Sequence, residues 1–440
     1  MRRISFIAAC VFFALCCGGT IRAQENGAVK LTLRQAVELA VKNNPAMTQA
    51  EAAVAASAAR VKQRESAYYP SVDIGATCAH LDPDPAVPFP GFGTIQFFPE
   101  NNYDAHVGLR YDLFDFGRTA SGRSAAKAGL SAARNSAGLM KENLAFHAIQ
   151  TYYTIALLQQ SIQVQEQQLK FLSEHLVFAQ KKQESGSATG FDVLTTKLKL
   201  AEAQNKMSDL HGSLDKQLIH FRQFTGLKAD TPLLFDTDLT ATSEQFTEND
   251  LVEKALHQRL ELANAHEAVV NAHAVVSSAA SEHLPTVGVS FAYGIKNGYM
   301  PELAELKNNT VTAARLEVPI FNGFRTTNQV REARANLQAA QARERDTADT
   351  IAADVRQALS DVRSNADKIA AAELQVKLAG DALDQAKVRY ASGIITNLDL
   401  LNVETSLDQA QLQRLQSQYN CIISREALKK ASGDDFFTFK

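Results

Sequence analysis

Apolar positions recur along this chain with two periods, every three or four residues in most of it and every second residue in four short stretches. The first period predicts amphipathic helices and the second half-buried strands. The longest helical pattern runs from about Ala120 to Glu184. Its small or apolar positions are Ala126, Leu130, Ala133, Ala137, Met140, Leu144, His147, Thr151, Ile155, Leu158, Ile162, Gln165, Leu169, Leu172, Leu176 and Ala179. They step by four and three with one break, Thr151 to Ile155, which describes a coiled-coil seam with a single stutter. Such a helix is about 100 Å long at 1.5 Å per residue. His147 falls on the seam and is expected as a packed core histidine. Ser185-Gly186 then turns the chain, and a return helix is predicted from about Asp192 to Phe224.

Upstream, Thr32 and Gln35 form a capping box ahead of a short helix, with Leu31 placed as its staple residue. Asn44-Pro45 interrupts that helix, because the residue before proline is pushed out of the helical region. A second helix follows from about Ala46 to Tyr68. It is about 35 Å long and the return helix about 50 Å. Laid end to end, they nearly match the long helix, so one long helix should pair with two short ones in line.

After Pro70, Val72, Ile74, Ala76 and Cys78 alternate with Asp73, Gly75 and Thr77. The same alternation runs through Ala105, Val107, Leu109, Tyr111 and Leu113, then Val287, Val289, Phe291 and Tyr293, then Ala314, Leu316, Val318 and Ile320. Four strands are expected, at 70–80, 104–114, 285–294 and 310–320, in two pairs. Between the first two, residues 81–103 collect prolines with Phe89, Phe92, Phe97 and Phe98, and are expected to form an irregular, self-packed surface loop.

Most of this is written twice. Leu113 to Gly226 lies on Ile320 to Gly433 without a gap, and Phe114, Arg118, Thr119, Ala126, Leu130 and Ala133 recur as Phe321, Arg325, Thr326, Ala333, Leu337 and Ala340. The capping region returns too, Thr32, Val37 and Ala40 as Thr247, Val252 and Ala255. A long internal repeat predicts matched structural units. The expected division is a signal peptide at 1–23, a first repeat at 24–240 with a coiled-coil hairpin at 119–226, and a second at 241–440 with a hairpin at 326–433. The segment joining the repeats should lie partway along the rod, where the return helix ends.

Composition narrows the class. Of 440 residues, 45% are hydrophobic and 21% charged, with net charge −3, which is no footprint for nucleic acid. Arg2-Arg3 followed by the apolar Ile4 to Cys17 reads as a secretory signal, with cleavage after Ile21-Arg22-Ala23. Cys16 and Cys17 lack the preceding small-residue pattern that lipidation needs, so plain cleavage is expected. No later run is apolar and long enough for a membrane helix. If the chain meets a membrane, it does so as strands.

Strands in lipid must close into a barrel, and the smallest barrels have about eight strands. Four are too few, so one chain must join others. The polar series Asp73, Thr77, His106, Arg110, Asp112, Ser290, Arg315 and Glu317 suits a watered lumen. A soluble β-sandwich or hairpin pair is the other way to bury the apolar face.

The order of these features resembles the TolC family of bacterial outer-membrane exit ducts, over about residues 28 to 433. Carrying the resemblance are the two repeats, Leu33 to Val37 through Asn44-Pro45, Tyr69-Pro70, Leu113-Phe114-Asp115-Phe116-Gly117 with Ile320-Phe321-Asn322-Gly323, and Tyr390-Ala391-Ser392-Gly393 to Thr396-Asn397-Leu398-Asp399. The resemblance implies a mainly α fold with long antiparallel coiled-coil helices forming an α-barrel tunnel. It implies a homotrimer whose four strands per chain close a twelve-stranded transmembrane β-barrel. The duct would conduct passively, with a periplasmic adaptor docked at the hairpin tips (Ser185, Gly186, Thr189, Ser392, Gly393 and Thr396) and an inner-membrane pump supplying energy.

By the same resemblance, Tyr390, Asp192, Asp399 and Asn402 map to the tunnel-entrance gate. Two positions depart from the pattern. Ile395 stands where the best-known members have Arg, and Asn402 where a second lining Asp is common. The closed state is therefore held differently, and cation preference should weaken. Asp192 and Asp399 also lie at helix starts, where an acid stabilises the N-terminus with no gating role. The competing functions are a tripartite efflux duct, a type I protein secretion duct, and a non-conducting periplasmic coiled-coil protein. No metal-ligand pair, nucleophile motif or phosphate loop supports an enzyme, and no cofactor is expected.

Overall fold

The computed structural model describes residues 29–83, 86–91, 93–228, 231–235, 238–239 and 247–434. The expected signal segment lies outside them. In chain order come β1 (Val29–Leu31), α1 (Leu33–Asn43), α2 (Pro45–Glu65), β2 (Ser71–His80), β3 (Ala86–Phe89), β4 (Gly93–Gln96), β5 (Asn101–Phe114), α3 (Arg118–Glu184) and α4 (Gly190–Thr225). Then follow β6 (Leu233–Phe235), α5 (Glu248–Gln258), α6 (Leu260–Ser281), β7 (Thr286–Lys296), β8 (Lys307–Glu317), α7 (Arg325–Ala391) and α8 (Asn397–Ser432). Among the described residues, no helix is long and apolar enough to cross a membrane.

Local chemistry accounts for most boundaries. Thr32 and Gln35 complete the capping box of α1, at 3.3 and 3.1 Å. Asn44 takes extended backbone ahead of Pro45 (φ −72°, ψ 127°), and its side-chain oxygen accepts from Ala46 N to cap α2. The counterpart break between α5 and α6 has no proline. There Arg259 adopts φ −68° and ψ 125°, and its largely buried guanidinium bonds Glu261 at 2.6 Å and Asp354 of α7 at 2.8 Å. A break made by sequence in one place is held by a tertiary ion pair in the other.

The helices α3 and α7 are each 67 residues long, and α4 and α8 each 36. Along α3 lie α2, α1 and α4, and along α7 lie α6, α5 and α8. Each long helix is thus backed by shorter ones in line. The densest apolar packing is a girdle near the middle of the rod. Phe221 at the end of α4 is wholly buried with Leu31, Ala36, Tyr152, Ile155 and Phe235. Burying one such aromatic contributes about 1.5–3 kcal/mol. The joining segment docks here, with β6 pairing in parallel with β1 (Leu31 opposite Phe235). On the second side Ala255, Ile351, Val355 and Ala431 close the girdle.

The seam positions Leu144, Thr151, Ile155, Ile162, Gln165, Leu172 and Ala179 are buried, but His147 is not. It is exposed, stacked on Phe224 at 4.7 Å and His220 at 5.3 Å. The reason is that α1 covers a second face of α3 there, burying Ala145, Ala148, Ile149 and Tyr152, which the seam pattern does not contain.

The sheet runs β2-β5-β7-β8, antiparallel throughout. The outer edges of β2 and β8 have no partner strand among the described residues. One face carries rows such as Val72, Leu109, Phe291 and Thr312, or Ile74, Val107, Tyr293 and Thr310. Ile74 is 83% exposed and Leu316 68%, far more than apolar residues in a strand usually are in water. On the other face large polar groups stand against glycines: His106 opposite both Gly75 and Gly294, Asp73 opposite Gly108, and Gly288 between Asp112 and Arg315.

Residues 81–103 are more regular than expected. They hold the hairpin β3–β4, with Val87 opposite Ile95 and the Phe89 and Phe97 rings 6.0 Å apart. Pro88 is tolerated because this is an isolated two-stranded ribbon with free edges. Phe92 lies outside the described residues. The last strand, β8, spans Lys307–Glu317 rather than 310–320, because Pro319 cannot donate to the ladder. With β1 and β6 there are eight strands among the described residues, four of them in the main sheet.

Candidate functional site at the hairpin tips

Both hairpins end in the same local structure. At the first tip Gly186 takes φ +77°, and Ser187 N donates to Lys182 O at 2.8 Å. At the second, Gly393 takes φ +72° and Ile394 N donates to Arg389 O at 2.9 Å. These are Schellman-type caps, which need a left-handed residue, and nothing lies within 4 Å of a Cβ placed at either glycine. Backbone conformation selects glycine here, not crowding. Ser185 and Ser392 are exposed, and their hydroxyls donate to Lys182 O and Val388 O.

The return helices then start alike. Thr189 Oγ1 accepts from Asp192 N at 3.2 Å, while Asp192 Oδ2 accepts from Thr189 N and Oγ1, both at 2.8 Å. Thr396 and Asp399 repeat the pattern at 3.2, 2.9 and 2.6 Å. The Thr396 hydroxyl and amide hold the exposed Asp399 carboxyl below its usual range. Both aspartates are therefore capping-box residues first. Asn402 lies on the exposed face of α8, three residues beyond Asp399.

Tyr390 is buried against Leu383, Ala386 and Leu400, with Ile395 packed partly into the same cluster. Ile395 thus fills apolar space beside the tyrosine. Burial raises the Tyr390 hydroxyl pKa, and the Asp192 charge adds to it. The cation at this site comes from the other hairpin. Lys182 Nζ donates to Tyr390 O at 3.0 Å and lies 4.4 Å from the Tyr390 ring centroid and 5.2 Å from that of Phe178.

Behind the tips sits a buried polar knot. Asn397 is 2% exposed. Its amide nitrogen donates to Asp192 O at 3.0 Å, Thr196 Oγ1 at 3.1 Å and Thr195 Oγ1 at 3.3 Å. Its oxygen meets His175 Nε2 at 2.6 Å. Because that oxygen can only accept, Nε2 carries the imidazole proton. Burial holds His175 below its ordinary pKa, against the Asn397 bond, which raises it. Phe171 stacks on the imidazole at 5.8 Å. The knot draws α3, α4 and α8 together within one chain.

Of the residues singled out from sequence, the structure brings Asp192 and Tyr390 into electrostatic reach of one another. It leaves Asp399 and Asn402 on the surface of α8. Sequence reasoning missed Lys182, His175 and Asn397. Lys182 is half of an ordinary Lys-Lys pair, His175 lies beside the seam, and Asn397 reads as a turn residue. None carries a signal at short range.

A cavity of about 920 Å³ lies toward the sheet end between α2, α3, α6 and α7. Small side chains such as Gly122, Ala126 and Ala274 line much of it, and it collects no His or Cys.

The sequence profile of a family described as outer membrane efflux protein matches residues 36–227 and 251–434. Over 447 residues the chain is 25% identical to outer membrane efflux protein BepC of Brucella suis, covering 98% of this chain and 92% of that protein. Over 351 residues it is 25% identical to alkaline protease secretion protein AprF of Pseudomonas aeruginosa, covering 77% and 72%. The solved structure of outer membrane protein VceC from Vibrio cholerae shares the fold at a TM-score of 0.80 and 20% identity, over 92% of this chain and 96% of that one.

Proposed function

The chain belongs to the outer membrane efflux protein family of TolC-like, non-catalytic outer-membrane channels with a long helical periplasmic tunnel, and on that premise we propose that it is the trimeric exit duct of a tripartite efflux pump. Four strands from each of three chains close one twelve-stranded barrel, and the two repeats of each chain build the tunnel wall. The adaptor docks at the tips around Gly186 and Gly393, and an inner-membrane pump drives transport. Asp192, Tyr390, Asp399 and Asn402 lie at the entrance, where Lys182 supplies the positive charge.

The observation that carries this reading is the sheet. Its two open edges and one exposed apolar face are unstable alone in water or in lipid, and closure among chains removes both faults. The test is to fractionate membranes and measure the mass of the detergent-solubilised protein. A trimer in the outer-membrane fraction that conducts in planar bilayers is expected. A monomer in the soluble periplasm would sink the proposal.

The likeness to AprF supports a second reading, a duct for type I protein secretion. The two differ in the partner that co-purifies after cross-linking at the tips: a proton-driven pump or an ATP-driven exporter.

A further inference from the structure

Farther from the tips than the polar knot, α3, α4 and α8 line a half-open cleft of about 140 Å³. Glu404 and Asp408 of α8 line it, and both are 5% exposed. Beside it Leu172, Ala203 and Leu401 join the same three helices through apolar contact. This is where the first hairpin meets the second.

The charges around Glu404 are already committed elsewhere. On α4, Lys206 bonds Asp408 Oδ2 at 2.9 Å and Lys199 bonds Glu202 at 2.9 Å. On α7, Lys387 pairs with Asp384 at 3.5 Å. From α3 the uncharged Gln165 and Gln168 reach this site. Among the described residues one hydrogen bond reaches Glu404, a long one from Gln168 Nε2 at 3.4 Å. Two further acceptors, Asp408 Oδ1 and Gln165 Oε1, are buried with no hydrogen-bond partner among the described residues. Acceptors therefore outnumber donors here, and one added proton would relieve the excess. A buried carboxylate without a cation is costly, and such a group takes up a proton instead.

We propose that Glu404 is a proton-binding joint between the two hairpins of each chain: protonated, it lets α8 seat against α3 and α4, and ionised, it draws water into that contact and loosens it. Burial, with Asp408 adding to it, pushes the Glu404 carboxyl up to about 7. A folded-state value above the unfolded one means the packed form binds the extra proton. The joint is therefore tight on the acid side and loosens as pH rises through about 7. The other titratable group nearby, His175, is held below its ordinary value and stays neutral above about pH 6.5. A window from about pH 6.5 to 8 thus isolates Glu404. The effect on conduction rests on the duct reading.

The test uses the purified full-length channel. In pH-difference infrared spectra, wild type should show a protonated-carboxyl band that titrates near neutral pH and is missing in Glu404→Gln. Asp408→Asn should move its midpoint down and Gln168→Leu up. In planar bilayers, open-channel current should rise about fivefold across the window, the low end of coupling between linked sites. Glu404→Gln should stay at the acid-side level. A band that survives in Glu404→Gln, or no titrating band in wild type, overturns the joint. A pH response of the current that persists in Glu404→Gln overturns its link to conduction. If no protein conducts at any pH, the duct reading fails, while the infrared result still decides the assignment of the proton.

Discussion

Lys182 and Tyr390 tie the last turns of α3 and α7 together, by a hydrogen bond of 3.0 Å to the tyrosine carbonyl and a cation–ring distance of 4.4 Å. The first prediction follows from this contact. Lys182→Met keeps the stem that packs on the ring and removes the charge. The lost cation–π term is about 0.5–2 kcal/mol, enough to raise closed-state leak several-fold. Single-channel recording checks this. A leak equal to wild type would mean that Lys182 is surface decoration.

Asn397 bonds four groups at once, but Thr195 and Thr196 also donate to Asp192 O, at 3.0 and 2.8 Å, so Asn397→Ala strands His175 Nε2 alone. A stranded buried group costs about 1–3 kcal/mol, and the melting temperature of the detergent-solubilised protein should fall accordingly. The pH dependence has a sign as well. Because the His175 pKa is lowered by burial, the knot is at full strength above about pH 6.5 and weakens as pH falls below it. Asn397→Asp places a carboxylate on the imidazole and should abolish that acid-side loss. Comparing the two melting curves against pH cancels the other titrating groups, and parallel curves would refute the assignment.

Asp399 has two candidate roles, a cap and a charge at the tunnel entrance. Asp399→Asn retains an acceptor for the Thr396 amide and removes the charge, whereas Asp399→Ala removes both. If the charge lines the entrance, both variants should lose cation preference to the same extent, read as reversal potential. If the residue only caps α8, Asn should match wild type and Ala alone should lower helix-start stability. The lowered Asp399 pKa places the loss of the cap below the usual carboxylate range, as pH falls through the folded value.

Gly294 gives a test of the sheet. A Cβ there would stand 2.0 Å from Ala105 O and 2.6 Å from His106 Cα, both backbone atoms of β5. Gly294→Ala should disrupt the β5–β7 pairing and sharply reduce outer-membrane trimer on a semi-native gel. Gly212→Ala is the control, since it is mid-helix in α4 with open space around it. That change should be neutral or stabilising by up to about 1 kcal/mol. Equal loss in both would show that trimer yield does not report on strand pairing.

What was legible in the sequence is what is decided within a few residues. The Thr32 box, the Asn44-Pro45 break, the glycine tips, the acids Asp192 and Asp399 at helix starts and the strand alternation all act within a few positions. What escaped is decided at distance. The Arg259 break depends on Asp354, and the exposure of His147 depends on where α1 lies across α3. The polar knot joins His175 to Asn397, 222 positions apart. The β3–β4 ribbon escaped because Pro88 argues against a strand, and it is permitted where, among the described residues, no further strand pairs with the ribbon's edges. The tips were thus readable as turns and caps, but their contacts across the chain were not.

The long helices are continuous, whereas their partners are broken near the girdle. Buried girdle residues such as Tyr152 in α3 and Val355 in α7 sit close to the helix midpoints. Each long helix is therefore a two-armed lever with its fulcrum in the apolar belt. A rigid lever splayed at the tip would swing its other arm by a similar distance and tear at the sheet. On the duct reading, opening the entrance while the strands stay shut requires α3 and α7 to flex where they cross the belt, so that stiffness there, as much as any bond at the tip, would set the force of opening.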